Sequence, residues 1–328
     1  MRILPKALLL AGALALTSVL PAGAATLQEN NEKMFRQMQK ARGLSNAEMQ
    51  RIRAIFAGSS YIGQGNPAVT RHPLTPEQAA AKIPGDPLSH YRNSQFERIC
   101  GEKYMAPLYD PATQSPEDAR VCADMFEYPN VPMMYPVVWV RAREAALLCA
   151  AEGKRMGDAH EWEGASHGAL TEPDYFFGRS VQAARAAHNA KHQGSARYSI
   201  GSQWRSGVCA TGSSKSGSCN GGNFSGCGSN TYPAGSFPAC KSPLGVYDLD
   251  GNAAEHMNLP LSPDQMASRG STRLGVTEMK GSWFIWDTVR AHTHWSRWRA
   301  PFWHGGKVMA KSSHHNYHLG FRCFKDVK

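Results

Sequence analysis

Leu244-Gly-Val-Tyr-Asp-Leu-Asp-Gly-Asn-Ala-Ala-Glu255 is the stretch on which the reading of this chain turns. Gly251 and Asn252 are residue types that tolerate positive φ, so the pair predicts a tight turn. Such a turn has to bond to buried polar groups if it is to be fixed inside a protein. Just upstream lies Asn230-Thr-Tyr-Pro-Ala-Gly-Ser-Phe-Pro238. Further back come Pro136-Val-Val-Trp-Val, Ala145 to Cys149, Gly153-Lys-Arg155 and Glu161-Trp162-Glu163. Downstream stand Lys280-Gly-Ser-Trp283 and Leu319-Gly-Phe-Arg-Cys323.

Around these segments the pattern alternates between short elements and loop. Met34, Phe35 and Met38 space one apolar face, and Ile52, Ile55 and Phe56 another, so residues 28–57 predict two helices. Ser45 and Glu48 form a capping-box signal for the second. A helical hairpin packed on the main body is the plain reading; a partner-binding arm is the other. Residues 58–95, rich in Gly, Pro and Ser, read as an irregular connector. Val137 to Val140 is a short strand signal, followed by a helix from about Arg141 to Glu152 that Gly153 caps. A second short helix starts near Asp158 and carries Trp162. From Gly194 to Ser242 periodicity is almost absent, and four cysteines suggest that crosslinks order the loop.

Residues 1–24 read as an export signal: Arg2 and Lys6, an apolar run from Ala7 to Leu20, then Ala22-Gly23-Ala24. That run falls short of the roughly 20 residues that span a bilayer, although a retained anchor is the competing reading. No Cys follows the cleavage pattern, which argues against a lipoprotein. The mature chain is therefore expected to be periplasmic or secreted, with no stable membrane insertion after cleavage. In an oxidising compartment eight cysteines without a CxxC pair point to disulfides rather than zinc or redox chemistry. The net charge of +10 is dispersed, with no run of five Lys or Arg. Export makes nucleic acid an improbable partner; an anionic small molecule or a peptide is the expected ligand class.

In order, these segments resemble the formylglycine-generating enzyme (sulfatase-modifying factor) family. Residues 136–163 are similar to its strand, helix and "GKRLPTEAEWE" run, residues 230–255 to its "NTxPVGSFPPNxxGLYDMVGNVWEW", and residues 280–323 to its "GGSW" and terminal "LGFRC". Val121 to Asn130 resembles the "CIDRYEYPN" of a bacterial branch. The resemblance implies an α+β, C-type-lectin-like fold with much irregular loop. The domain plan is 1–24 signal peptide, 25–95 helical extension and connector, and 96–328 family domain. It also implies calcium near Asn252 and Glu255, with Asn223 and Asp248 as further candidates; the plainer alternative is that Asn252 and Glu255 only bond the turn. Calcium takes six to eight oxygen ligands, so a sequence names only part of a shell. Cys149 and Cys323 match a disulfide position of the family, and Cys100 with Cys122 is the next pair. Cys209, Cys219, Cys227 and Cys240 are left with three connectivities.

The family's enzyme binds copper and activates oxygen with two cysteines just after "GGS", chemistry that needs soft thiolates. Ile285 and Arg290 stand there in this chain, so formylglycine generation is not expected. One reading is a rebuilt site. Trp283, Trp286, Trp295, Trp298 and Trp303 lie among Arg290, His292, His294, Arg297, Arg299, His304, His314, His315 and His318. His292, His294, Arg297 and Trp283 are the catalytic candidates, with iron or copper as the cofactor, because imidazoles bind both. Relatives of that kind include ergothioneine-type sulfoxide synthases, whose His-x3-His-x-Glu run has no equivalent here, and a periplasmic protein of pyoverdine maturation. The other reading is a non-catalytic ligand-binding or structural module whose Trp, Arg and His residues form an aromatic, cationic pocket. The plainest view packs the Trp residues in the core and exposes the His residues.

Overall fold

A computed structural model describes residues 25–66, 69, 74–215, 219, 226–285, 294–300 and 306–327. The proposed signal, residues 1–24, lies outside them. The chain opens with two helices, α1 (Leu27–Arg42) and α2 (Asn46–Ala57). Thr26 with Glu29 and Ser45 with Glu48 each form a capping box, so both helices begin where side-chain oxygens satisfy the first free N–H groups. Gly43 ends α1 at φ 78°, a left-handed cap that glycine adopts without a Cβ clash. The apolar stripe of Met34, Phe35, Met38, Met49, Ile52 and Phe56 is buried against Tyr128, Leu148 and Phe321. Two arginines fasten the hairpin: Arg42 pairs with Glu152 and donates to the Pro129 carbonyl, and Arg51 forks onto the Ala151 carbonyl.

The connector is less irregular than its composition predicts. It holds α3 (Pro76–Ala80) and α4 (Pro87–His90), each with proline in its first turn, and leads into α5 (Ser94–Cys100). Strands β1 (Met105–Leu108) and β2 (Val121–Asp124) follow. The strand expected at 137–140 is corrected to an irregular segment. Val138 makes only a single bridge, to Gly63, and Trp139 turns the backbone away at φ 61°. Next come α6 (Ala142–Ala151), β3 (Arg155–Met156), α7 (Ala159–His167) and α8 (Val181–His192). β4 (Ala254–Leu259), β5 (Val276–Lys280), β6 (Leu319–Gly320) and β7 (Cys323–Asp326) complete the strands.

Two small sheets carry the body, one ordered β1-β2-β7-β3 and the other β5-β4-β6. The chain end belongs to both: β6 runs parallel to β4, and after Phe321 and Arg322 the backbone enters β7 between β2 and β3. This mixed α+β arrangement leaves long stretches without regular backbone, which crosslinks restrain. Cys100 pairs with Cys122, Cys149 with Cys323, Cys209 with Cys240 and Cys219 with Cys227, leaving no free thiol. Such pairing is consistent with an extracellular protein. Among the described residues no helix is long and apolar enough to cross a membrane.

The bond between Cys149 and Cys323 closes a separation of 174 residues and ties α6 to β7. A Cys149→Ala, Cys323→Ala double variant is expected to lose about 2–5 kcal/mol of unfolding free energy. Denaturant titration checks this, and an unchanged midpoint and slope would contradict it.

Candidate metal centre and its buried charge network

α7, capped by Asp158, turns Glu163 inward, where it is fully buried. A buried carboxylate survives only if cations meet it. Lys280, at the end of β5, donates to its Oε1 at 3.1 Å, and the Arg299 guanidinium forks across both oxygens at 2.9 and 3.1 Å. Burial alone would raise this carboxyl, but Arg299, Lys280 and His188 hold it well below the usual carboxylate range. For Lys280 the balance is reversed: burial outweighs Glu163 and lowers the ammonium pKa. Lys280 also donates to the Trp298 carbonyl at 2.5 Å. Beside it Arg185 of α8 pairs with Glu278 at 2.7 Å, whose other oxygen accepts from the Ala300 N–H. Residues 294–300 are thus clamped between α7, β5 and α8 by buried charges.

The same clamp aligns a second group. His188 and His192 stand four residues apart on α8, hence on one face, and both turn toward Asp174 in the loop before it. His188 Nδ1 lies 2.8 Å from one Asp174 oxygen and His192 Nε2 2.8 Å from the other. His188 donates its Nε2–H to the Arg297 carbonyl at 2.7 Å. Such a bond fixes the ring and directs Nδ1 at Asp174, as backbone acceptors do behind metal-ligating imidazoles. The ligating atoms of these three residues lie within 4.8 Å of one another. Two imidazoles and a carboxylate are a donor set for a first-row divalent metal. A metal at about 2.0–2.2 Å from each atom would open the two 2.8 Å contacts to Asp174 and hold all three ligating atoms within about 4.4 Å of one another. Lys191 also reaches Asp174, at 3.1 Å, but its side chain is more than half exposed and can swing aside. His192 has its pKa lowered by burial despite Asp174, which favours the neutral, ligating ring. Next to it a depression of about 10 Å³, bounded by Trp295, Arg297 and Trp298, leaves room for roughly one water.

The sequence reading missed this group. Its signal was present as His188-Asn-Ala-Lys-His192, a His-x3-His pair followed by Gln193 and Gly194 rather than x-Glu. Among the catalytic candidates, His294 bonds through Nδ1 to Ser282 Oγ at 2.5 Å and faces the Trp204 ring at 4.6 Å. Trp283 meets His318 at 4.7 Å and Tyr317 at 6.0 Å. Arg297 donates to Ala169 and Thr171, while its carbonyl holds His188. His292 lies outside the described residues, as do Asn223, Trp286, Arg290, Trp303 and His304. Gly164-Ala-Ser-His-Gly168 matches the letters of a nucleophile elbow, but Ser166 sits inside α7 and its hydroxyl is bonded to Ser296.

Of the calcium candidates, Glu255 pairs with Arg322. Glu255 gives both oxygens to this guanidinium at 2.7 Å, and one of them also accepts from Trp162 Nε1. Asn252, at φ 59°, accepts the Tyr232 N–H through Oδ1, and Asp248 accepts the Gly235 N–H. Arg322 donates further to the carbonyls of Asp124, Met125 and Tyr247, joining both sheets to the loop that carries Tyr247. In this arrangement Glu255 and Asn252 spend their side-chain oxygens on protein donors, whereas the second oxygen of Asp248 is buried without a hydrogen-bond partner.

A family model described as a sulfatase-modifying factor enzyme 1-like domain matches residues 92–327. A comparison with curated proteins gives no match.

Asp250, beside the turn, is fully buried with Ser199 as donor to one oxygen, and burial pushes its pKa up to about 7. A carboxyl raised on folding stabilises below its unfolded pKa near 4, and that contribution is lost as pH rises toward 7. Asp250→Asn keeps an acceptor for Ser199 and removes the titration. Unfolding free energies measured at pH 4.5 and pH 7.5 are expected to fall more with pH in the wild type than in this variant. Parallel pH profiles would contradict the assignment.

Proposed function

The chain belongs to the sulfatase-modifying factor enzyme 1-like family, and from that membership we propose that it is a metal-dependent oxidative tailoring enzyme of an oxidising compartment, not a copper–cysteine formylglycine generator. Two observations support the negative half. Ile285 occupies a position where the resemblance calls for a cysteine, and all eight cysteines are tied in disulfides. No thiolate remains to hold copper(I).

The convergence of Asp174, His188 and His192 carries the positive half. Iron(II) suits two imidazoles and one carboxylate and, when bound, supplies oxygen-activating chemistry. The chain's own part is positional. The Arg297 carbonyl fixes His188, Arg299 steadies the Asp174 carboxylate from 3.6 Å, and Lys191, now 3.1 Å from Asp174, would have to give way to a cation held there. Trp295, Trp298 and Arg297 flank His192 around the one-water depression, an aromatic and cationic edge that would have to open before a substrate group could enter. Calcium stays a separate proposal, for which Asp248 and Asp250 beside the Gly251–Asn252 turn, and Glu127 facing it, each keep one buried carboxylate oxygen without a hydrogen-bond partner.

A non-catalytic, ligand-binding module is the second reading, and one observation favours it: His188, His192, Lys191 and Arg299 together meet the charge of Asp174. Metal content separates the two. Protein reconstituted anaerobically with iron(II) and desalted is expected to hold one iron per chain by elemental analysis. His192→Ala, at a half-buried position that leaves the fold intact, should drop this at least tenfold. Substoichiometric iron in the wild type, or equal iron in the variant, would overturn the enzyme reading and leave the binding module.

A further inference from the structure

A cleft of about 340 Å³ runs between α1 and the body of the protein, within the range of small-ligand sites. It is remote in composition from the metal group: Asn30, Lys33 and Gln37 of α1 form one wall, and Gln64, Glu77 and Met134 stand among the residues of the other. α1 and residues 64–77 precede the residues that match the family, so most of this cleft is a feature of this chain rather than of the shared domain.

The walls are held in place before any ligand arrives. Arg42, buried at the end of α1, is locked onto Glu152 and the Pro129 carbonyl. Asn31 donates to the Ile62 carbonyl at 3.0 Å, and Gln64 donates its Nε2–H to the Tyr135 carbonyl. The Ser229 hydroxyl bonds to the backbone carbonyl of Gln64. Preorganisation of this kind removes ordering cost from binding.

We propose that this cleft binds a short peptide, or a peptide-like amide, with charged ends. Carboxamides carry both a donor and an acceptor, the pattern that a peptide group presents in return. Gln37 offers both from the helix, while Asn30 and Gln64, whose side-chain amides already donate to the Thr26 and Tyr135 carbonyls, offer their oxygens as acceptors. Met133 and Met134 supply an apolar floor that adapts to different side chains. Lys33 and Glu77 lie exposed on opposite walls, placing one positive and one negative charge for a ligand carboxylate and ammonium. A purely apolar molecule would leave these groups unpaired.

Titration of the full-length protein with a pool of tripeptides bearing free termini, read by native mass spectrometry, tests this. Saturable one-to-one binding is expected, weakened at least tenfold when the same peptides are acetylated and amidated. Gln37→Trp, at an exposed position of α1, should block the cleft and cut binding at least tenfold without changing Tm or iron content. Absence of saturable binding by any peptide of the pool, or binding indifferent to both capping and Gln37→Trp, would overturn the proposal.

Discussion

The ion cluster of Glu163 with Lys280 and Arg299 governs the geometry of the candidate centre. Its three charges come from α7, from the end of β5 and from the segment 294–300, and all three side chains are buried. Buried ion pairs return little net stability, because desolvation offsets attraction. What they provide here is position. Withdrawing Glu163 would strand two cations in a dry interior, so these elements have one arrangement in which the charges are met. His188 sits 3.6 Å from the same carboxylate, and the group on α8 inherits that arrangement.

A parallel device fixes the other half of the body. Arg322 follows β6 and precedes β7, so its five donors reach Glu255 and three carbonyls in different strands and turns. Guanidinium geometry makes this possible; an ammonium could not hold the same set in a plane. With the bond from Cys149 to Cys323 beside it, β7 becomes a central member of its sheet although it comes last among the described strands.

Much of this architecture was legible in the sequence. Helices at 27–42, 46–57, 142–151 and 159–167 announced themselves through apolar spacing and caps. α8 did not, because its buried positions are Ala184, Arg185 and His188, and a helix that buries polar groups into a charge network has no apolar stripe to see. Val137 to Val140 carried strand-like residues, but tertiary packing turned Trp139 into a left-handed conformation. For the site, the pair on α8 was readable from its spacing, whereas Asp174, fourteen residues before His188, is brought in only by the fold. The pairing of the four loop cysteines likewise depends on chain path rather than on spacing.

Anomalous diffraction at the iron edge, from crystals of iron(II)-loaded protein, addresses the central assignment most directly. The account requires a peak bounded by an Asp174 oxygen, His188 Nδ1 and His192 Nε2 at about 2.0–2.2 Å, with Lys191 displaced. A map with no peak there, and with Lys191 and both rings still bonded to Asp174, would show that the group is a structural ion cluster and not a metal centre.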